Sequence, residues 1–484
     1  MNLAEHVLRN RYPGRAALIC GEEQVTRDEL ATRVARAAGG LRALGVKPGE
    51  QVLFVMRDTP EFAAAWLGAV HAGAVAVALN SKLSEPDYRH ILADSRARFA
   101  ILDDEFAAAR AVLGSICRDR LALARAEPIP SVDVAPDAPA LCLYSSGTTG
   151  RPKGILHAHR AALSIGEAFR ALGVREGERV FTTSKFFFAY GLEHGLLAPL
   201  AMGVTSILSA DWPDAEAVVR IIERHRPHAL FSVPTIYRRL LAEPGGRLAP
   251  LRAVRHFVAG GERLSPQLVQ QWRAAVDGEL LNLYGMSEGF CACMMTPPGT
   301  SDGLRTGKPF PIAEVRLLDA DGAEPPPGEP GVLWLRHPAQ ARGYANLPDD
   351  TQSQFRDGWF CSRDLFVRDA EGFYVHQGRS DELVKVAGQW VWPTELEQAA
   401  LVADAVTEAA CVPVPDGEGL QRLALFVTGK ENAASAAAGA CERLPRHKRP
   451  KWIRAVAELP RTATGKVQRY KLREILEREL DRSG

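Results

Sequence analysis

The 484-residue chain has few of the cysteine patterns that mark disulfide-bonded or cysteine-based metal proteins. Its eight cysteines are scattered and form no CxxC pair. Cys291 and Cys293 are the only close pair, and no matching Cys/His pair stands near them. This spacing argues against a disulfide framework and against a metal cluster, so we expect reduced thiols and a cytoplasmic protein.

The chain also lacks a surplus of charge of either sign and any long apolar run. Lys and Arg number 59 against 58 Asp and Glu, a formal net charge of +1, which gives no electrostatic reason to expect nucleic acid as a partner. The N-terminal segment MNLAEHVLRNRYPGRAALIC has no signal-peptide core. No window approaches the roughly 18 apolar residues that a membrane span needs. We therefore expect no membrane span, and the oligomeric state stays open.

What is present is an alternation of helical and strand-like segments. Helical spacing occurs at residues 28–43, 61–72, 217–224 and 266–276. Short apolar runs that are typical of buried strands occur at residues 51–55, 74–79, 229–233 and 279–283. Alternation of this kind predicts a parallel sheet in an α/β fold.

The second part of the chain has a different pattern. Residues 304–366 are richer in predicted strands, with a turn over residues 319–331. Beyond residue 385 a compact α+β set follows: helices at 393–401 and 467–480, a short surface helix at 431–440, and strands at 408–414 and 423–428. We place a domain boundary near Asp381, which predicts an N-terminal domain of residues 1–380 and a C-terminal domain of residues 381–484.

The segment LCLYSSGTTGRPKG, residues 141–154, has the composition of a phosphate-binding loop. Glycines let the backbone approach a phosphate, hydroxyls and N–H groups donate to its oxygens, and a lysine adds positive charge. Pro152 precedes Lys153, so the pattern is not that of a P-loop phosphotransferase. The predicted ligands are Ser145, Ser146, Gly147, Thr148, Thr149, Gly150 and Lys153.

Four further segments follow this loop in a characteristic order. They are NLYGMSE at 282–288, GWFCSRD at 358–364, GRSDELVKVAG at 378–388 and RTATGK at 461–466. Together with the loop, they resemble the motifs of the adenylate-forming superfamily of acyl- and aryl-CoA synthetases, peptide-synthetase adenylation domains and luciferases. The resemblance implies a large N-terminal domain of α/β subdomains plus a β-barrel, and a small mobile α+β C-terminal domain.

The resemblance also implies roles in a first half-reaction, in which a small carboxylic acid reacts with ATP. Glu288 would hold Mg²⁺, a hard cation that prefers carboxylate oxygen. Tyr284 would stack on adenine and Ser287 would donate to the α-phosphate. The remaining predicted ATP contacts are Asp364 to the ribose hydroxyls, Arg379 to ribose or phosphate, and Gly260 with Glu262 in an adenine-side turn.

Lys466 is the predicted catalytic residue of this adenylation. Two anions must meet, and a flexible ammonium group can approach both the carboxylate and the α-phosphate. In the second half-reaction coenzyme A would attack, after a rotation of the C-terminal domain about a hinge at Asp381. Lys385 would then enter the site as a catalytic residue, and Gly388 would line the route of the CoA thiol.

A basic run, residues 446–451, has two interpretations. Arg446, Lys448, Arg449 and Lys451 would meet the phosphates of CoA, or they form an ordinary solvated face.

The segment FFFAYG, residues 186–191, is closer to benzoate-CoA ligases than to fatty acyl- or acetyl-CoA synthetases. The predicted acid pocket comprises Ala189, Tyr190, Gly285, Cys291 and Ala292. Cys291 and Ala292 are smaller than the residues that benzoate-CoA ligases tend to have there, which leaves room for a ring substituent. The alternative is that these aromatic residues are core packing.

The sequence predicts an AMP-forming acid–thiol ligase that acts on a benzoate-type acid, with ATP, Mg²⁺ and coenzyme A. One alternative is a ligase of the same fold that loads a carrier protein or uses a non-aryl acid. A second alternative is a non-catalytic nucleotide-binding regulator, which the presence of Lys466, Glu288 and Asp364 argues against.

Overall fold

A computed structural model describes residues 1–9, 14–146, 151–243, 248–386, 388–417, 420–461 and 467–483. The chain divides into two compact units. The first unit comprises Met1–Arg316, Trp334–Ser362 and Asp369–Val375, and the second comprises Leu317–Leu333, Arg363–Arg368 and His376–Gly484.

The first unit contains two large sheets that are mostly parallel, as the alternating pattern predicts. The nine-stranded sheet has the order Lys308–Pro309, Met294–Met295, Leu280–Tyr284, His256–Gly260, Ala229–Ser232, Arg179–Thr182, Thr205–Leu208, Ala16–Cys20 and Glu23–Thr26. The six-stranded sheet has the order Gly343–Tyr344, Pro152–Ala158, Pro139–Ser146, Val75–Ala78, Gln51–Val55 and Phe99–Leu102. The predicted α/β fold class is therefore confirmed.

Helices cover these sheets, and local sequence explains where they begin. In the helix Arg27–Ala43, the Thr26 side chain accepts the Glu29 N–H while the Glu29 carboxylate accepts the Thr26 N–H, which is a capping box. This helix packs against Pro60–His71 at Gly68, where an added Cβ would lie 2.6 Å from the Cβ of Ala37. A side chain at position 68 would therefore push the two helices apart.

The other helices of the first unit connect successive strands or extend from them. They are Leu3–Leu8, Glu85–Ser95, Ala107–Leu113, Arg120–Arg125, Glu167–Leu172, Ala189–Leu192, Ala198–Met202, Ala215–His225, Pro234–Ala242, Pro266–Val276 and Pro348–Gln354. A π-helical segment, Glu193–Leu197, joins two of them, and short 3₁₀ segments occur at Gly114–Ile116, His159–Ser164 and Ala249–Ala253.

Most of the strands in the β-rich part predicted for residues 304–366 belong to a five-stranded sheet, which continues to Arg379 and corresponds to the barrel element of the expected architecture. Its strands are Glu314–Leu318, Pro330–Arg336, Trp359–Arg368 and Phe355–Arg356, with Tyr374–Arg379 paired to Trp359–Arg368. The predicted turn at 319–331 lies between the first two of these strands.

The second unit ends in the predicted α+β set. A three-stranded sheet has the order Val406–Pro415, Gln421–Gly429 and Trp452–Ala455, and Val384–Val386 pairs with Gln389–Val391. The helices are Pro393–Leu401, Ala433–Cys441 and Arg469–Ser483, with 3₁₀ segments at Ser380–Glu382 and Arg446–Lys448. Arg469 joins two of the helices through an ion pair with Glu397 at 2.6 Å.

Candidate active site

Three adjacent parallel strands of the nine-stranded sheet end at the place where the candidate site begins. Ala229–Ser232, His256–Gly260 and Leu280–Tyr284 are neighbours in parallel register. Open α/β sheets bind ligands beyond the carboxyl ends of their strands. Gly260 and Tyr284, both predicted as ATP contacts, are the last residues of their strands, and Gly285 follows at once.

Tyr190 lies across the ends of two of these strands. Its hydroxyl is 3.2 Å from the carbonyl oxygens of both Ser232 and Val258. Burial raises the pKa of Tyr190 well above its usual value, so the hydroxyl keeps the proton that it donates. The ring packs on Gly260, where an added Cβ would lie 2.8 Å from Tyr190 Cε2. The structure thus brings together a predicted acid-pocket residue and a predicted adenine-side residue.

The loop that follows strand Leu280–Tyr284 carries Gly285, Ser287, Glu288, Cys291 and Ala292, all predicted site residues. Its backbone passes through Phe290 with φ of 61°, the left-handed region that bulky residues rarely adopt. Strain of this kind costs about 1–3 kcal/mol and persists only when the surroundings impose it. At the start of the loop, an added Cβ on Gly285 would lie 3.0 Å from the Cα of Ala292, so the two ends of the loop approach closely.

His157 supports this loop from the six-stranded sheet. Its Nε2 lies 2.9 Å from the Ser287 carbonyl oxygen, and its Nδ1 lies 3.1 Å from the Ala339 carbonyl oxygen. Burial lowers the pKa of His157 to about 4, so the neutral ring donates to one carbonyl only. The same ring contacts the strained Phe290, with ring centroids 5.2 Å apart. His157 therefore contacts the loop that carries Ser287 and Glu288 through both the Ser287 carbonyl and the Phe290 ring.

Tyr344 connects two of the predicted ATP and metal contacts. Its hydroxyl donates to Glu288 Oε1 at 3.0 Å, and Lys153 Nζ lies 5.6 Å from its ring centroid. Lys153 also forms an ion pair with Asp350 at 2.5 Å. Lys153 and Glu288 therefore both lie close to one aromatic residue, Lys153 near its ring and Glu288 at its hydroxyl.

The phosphate loop itself is only partly described. Ser145 lies in strand Pro139–Ser146 and pairs with Lys153 across an antiparallel hairpin. Gly147, Thr148, Thr149 and Gly150 lie outside the described residues, as does the side chain of Ser146. Glu262, the other predicted ATP contact, accepts hydrogen bonds from the Thr235 N–H and hydroxyl, so it caps helix Pro234–Ala242.

In the second unit, a charge network surrounds the predicted ribose contact and hinge. Arg379 makes a bidentate ion pair with Asp381, both contacts at 2.8 Å, and lies 3.5 Å from Asp364. His376 lies 3.6 Å from Asp364, and Arg363 lies 3.8 Å from Asp381. The predicted contacts Asp364 and Arg379 are therefore adjacent, and Arg379 joins them to the predicted hinge residue.

The residues predicted to act with CoA are exposed or engaged elsewhere. Lys385 is exposed in strand Val384–Val386, and Gly388 is exposed with φ of 83°, where a side chain would be strained. In the basic run, Lys448 pairs with Glu395, Lys451 pairs with Asp416, and Arg449 donates to the backbone. Lys466 lies outside the described residues.

Glu193 is a buried ionisable residue that the sequence analysis did not single out. It lies in the π-helical segment after Tyr190, is 1% exposed, and accepts the Ala292 N–H at 3.1 Å. Its signal in the sequence is the pair Glu193–His194 within an otherwise apolar helical stretch, AYGLEHGLLAPL. His157 and Tyr344 were also missed, because neither belongs to a motif of the nucleotide site.

The described residues contain no cluster of three or more His, Cys, Asp or Glu side chains that could hold a metal ion. Glu288 fits a different kind of site, since Mg²⁺ in nucleotide enzymes is held by one or two carboxylates together with substrate phosphates. Within the described ranges, no helix has both the length and the apolar character that crossing a membrane requires.

Comparison with known protein families agrees with this geometry. The AMP-binding enzyme family model matches residues 4–345, and the model of the AMP-binding enzyme C-terminal domain matches residues 395–466. The chain belongs to the AMP-binding enzyme family. The resemblance inferred from the motifs is therefore confirmed, and the protein is an enzyme of this family.

Similar proteins match this chain over nearly its whole length. The 3-hydroxybenzoate–CoA ligase of Aromatoleum sp. (strain CIB) is 39% identical, over 98% of this chain and 97% of that one. The 3-hydroxybenzoate–CoA/4-hydroxybenzoate–CoA ligase of Thauera aromatica is 40% identical, over 99% and 98%. A crystal structure of a benzoate CoA ligase from Burkholderia xenovorans LB400 has a TM-score of 0.90 at 35% identity, over 98% and 100%.

Proposed function

We propose that this protein is an AMP-forming ligase that joins a benzoate-type acid, with ring-hydroxylated benzoates as the best candidates, to coenzyme A. The observation that carries the proposal is the packing of Tyr190 on Gly260, together with the hydrogen bond from the Ala292 N–H to Glu193, three residues after Tyr190. A flat aromatic wall suits a flat ring, and the small side chains of Cys291 and Ala292 would leave room for one ring substituent. The named ligases of 3-hydroxybenzoate and 4-hydroxybenzoate support the same choice of acid.

In the first half-reaction, a carboxylate oxygen of the acid attacks the α-phosphorus of ATP. The new P–O bond gives an acyl-adenylate, and the bond to the β-phosphate oxygen breaks to release pyrophosphate. Both reactants are anions, so positive charge at the reacting centre lowers the barrier most. Lys466 would supply this charge, and Lys153 would hold the outer phosphates. Mg²⁺, held at Glu288, would offset the charge of the phosphates.

The loop from Gly285 to Ala292 would position the reactants for this step. Ser287 would donate to the α-phosphate from a backbone that His157 contacts, and Tyr284 would stack on adenine. A loop that is already held in one conformation does not need to become ordered when the substrates bind. Its side chains are therefore positioned for the reaction in advance. In the second unit, Asp364 would accept the ribose hydroxyls beside Arg379.

In the second half-reaction, the thiol of CoA attacks the acyl carbonyl. The thiol releases its proton to solvent, the C–S bond forms, and the bond between the acyl carbon and the adenylate oxygen breaks to release AMP. We propose that the domain of residues 381–484 rotates about Asp381 between the two steps, bringing Lys385 and Gly388 to the thiol. We do not assign the CoA phosphates to the basic run, because Lys448 and Lys451 already pair with acidic residues.

The experiment that tests this function measures AMP, pyrophosphate and thioester together by chromatography and mass spectrometry. The reactions contain ATP, Mg²⁺, 3-hydroxybenzoate and either CoA, a phosphopantetheinylated carrier protein, or no thiol. We expect one AMP and one aryl-CoA per ATP consumed with CoA. Thioester on the carrier protein alone would favour the carrier-loading alternative, and the absence of AMP with every thiol would contradict the proposal.

A further inference from the structure

Glu193 lies between two elements that the proposed function assigns to the acid pocket. It follows Tyr190 by one helical turn, in a π-helical segment that interrupts the run from Ala189 to Met202. π-helical turns inside α-helices occur frequently at functional sites, because the extra residue redirects side chains. Here the redirected side chain is a carboxylate that reaches the loop bearing Cys291 and Ala292.

The Glu193 carboxylate has neighbours both in the loop that carries Ala292 and in its own π-helical segment. Oε2 accepts the Ala292 N–H at 3.1 Å, and the Cys291 thiol and the Gly166 N–H lie near enough to the carboxylate to lower its pKa. His194 Nε2 lies 3.7 Å from Oε2, and its ring packs 4.9 Å from the ring of Tyr190. Burial raises the pKa of Glu193, and these donors and His194 partly offset the rise.

The Cys291 thiol is the donor in its contact with Glu193. Burial, and next the charge of the Glu193 carboxylate, raise the pKa of this thiol well above its usual value. The thiol therefore stays protonated and available for hydrogen bonding. A buried carboxylate that accepts several hydrogen bonds fixes its donors closely, because each donor loses its partner if the carboxylate moves.

We propose that Glu193 is a positioning residue for acid selectivity: its carboxylate holds the Cys291–Ala292 wall at a fixed distance from Tyr190, and so sets the width of the acid pocket. This inference rests on the proposed function, since it assumes that Tyr190, Cys291 and Ala292 contact the acid. Glu193 itself does not need to touch the substrate. The adjacent Phe290, strained at φ of 61°, shows that the loop is held away from its relaxed course.

Two substitutions separate this role from simple structural support. Glu193→Asp keeps a buried carboxylate but shortens it by one methylene, so it changes the distance between the walls. Glu193→Gln keeps the length but gives up an acceptor, since the amide nitrogen donates only. Asp103→Asn is the matched control: Asp103 is 5% exposed, accepts the Arg57 N–H at 2.7 Å, pairs with Arg120, and touches neither pocket wall.

The readouts are kcat/KM for benzoate, 3-hydroxybenzoate and 4-hydroxybenzoate, KM for ATP, the thermal midpoint, and the rate of Cys291 alkylation found by mass spectrometry. For both Glu193 variants we expect a change in the ratio between acids of about 10- to 100-fold, because a displacement near 1 Å has effects of this size. KM for ATP should stay within about twofold, which is less than 0.5 kcal/mol. Cys291 should be alkylated faster in Glu193→Gln than in the unchanged protein.

The outcomes distinguish the two proposals. If the unchanged protein makes no aryl-CoA from any of these acids, the proposed function fails, and the Cys291 alkylation rate alone tests the contact with Glu193. The positioning role is wrong if the unchanged protein is active and both Glu193 variants keep its ratio of kcat/KM between acids. This comparison is made below the thermal midpoint of each variant. If Asp103→Asn changes the ratio between acids as well, the effect comes from a general loss of stability. That result would also overturn the positioning role of Glu193.

Discussion

At the scale of single residues, Tyr190 is the proposed aromatic wall of the acid pocket, and we expect the choice of acid to depend on it. Tyr190→Ala removes the ring that packs on Gly260, so we expect weaker use of benzoates and better use of bulkier acids. Truncation of a buried aromatic side chain to alanine also lowers the free energy of unfolding by about 3–5 kcal/mol when it leaves a cavity. The measurement is kcat/KM for benzoate and for a bulky acid such as 4-phenylbenzoate.

Tyr190→Phe is the control for this variant, since it keeps the ring and loses only the hydroxyl contacts with Ser232 and Val258. It should retain the preference for benzoate. Equal loss of that preference in both variants would show that the hydroxyl, not the ring, is responsible.

Lys466 is the second residue for which the proposed mechanism predicts a specific kinetic effect. Lys466→Ala should slow adenylation by about 10²–10³, the usual cost of losing one electrostatic contact to the reacting centre. Thioester formation from a supplied aryl-adenylate should be nearly unaffected, because the proposed domain rotation would already have moved the lysine away from the reacting centre. Separate single-turnover assays of the two steps check this, and equal losses in both would refute the two-conformation mechanism.

The motifs predict which residues bind nucleotide, but they do not predict which residues contact and support them. Ser287 and Glu288 stand in one motif, whereas their supports His157 and Tyr344 lie 130 and 56 residues away in sequence. Glu193 is 99 residues from Ala292. Contacts of such separation depend on how the strands are ordered in the sheets, and one sequence does not contain that information.

At the scale of elements, regular helices and strands follow the sequence closely. The predicted helices at 28–43, 266–276 and 393–401 correspond to Arg27–Ala43, Pro266–Val276 and Pro393–Leu401. Capping residues and N-terminal prolines define their starts. The π-helical segment Glu193–Leu197 was not predicted, because hydrophobic periodicity does not distinguish one inserted residue within a short helix.

The hinge prediction belongs to the short 3₁₀ element Ser380–Glu382. Proline fixes φ near −65°, so Asp381→Pro should prevent the backbone change that domain rotation needs. If the fixed geometry is the adenylating one, aryl-AMP should form at a normal rate while aryl-CoA production collapses. Both products are quantified from one reaction time course.

Asp381→Ala provides the matched control, because it removes the bidentate pair with Arg379 but leaves the dihedral angles free. It should therefore retain thioester formation. A normal overall rate in Asp381→Pro would show that the hinge lies elsewhere, and an equal defect in both variants would point to the ion pair.

At the scale of the whole molecule, buried histidines make stability depend on pH. Burial lowers the pKa of His159 and of His337 to about 4. Both rings accept a backbone N–H at Nδ1, from Leu3 and from Ala339, which requires that nitrogen to be unprotonated. The unfolded chain, with pKa values near 6.5, binds more protons between about pH 6.5 and pH 4.

Stability should therefore be highest above about pH 6.5 and fall as the pH decreases towards 4. Each such histidine contributes a slope of up to about 1.4 kcal/mol per pH unit. Urea unfolding at several pH values measures this slope, and His337→Gln should reduce it by about one proton. A free energy of unfolding that is constant from pH 7 to pH 4.5 would contradict the prediction.

The division into two units and the predicted boundary at residue 381 concern different things. The sequence motifs predict a boundary at a hinge. The compact units instead alternate along the chain, because Leu317–Leu333 and Arg363–Arg368 belong to the second unit. The boundary at 381 therefore stays a prediction about motion, and the Asp381 variants test it.

The most direct test of the aryl-acid assignment is kcat/KM across a panel of acids: benzoate, its hydroxy and amino derivatives, cyclohexanecarboxylate, octanoate and acetate. A closed pocket walled by Tyr190 gains from a flat ring and loses about 1–3 kcal/mol to overpacking for extra atoms. An open channel would gain about 0.8 kcal/mol for each buried CH₂. We expect benzoate-sized aromatic acids to lead by at least about tenfold, with a hydroxybenzoate first. A best rate with acetate, or one that rises smoothly through octanoate, would contradict the assignment.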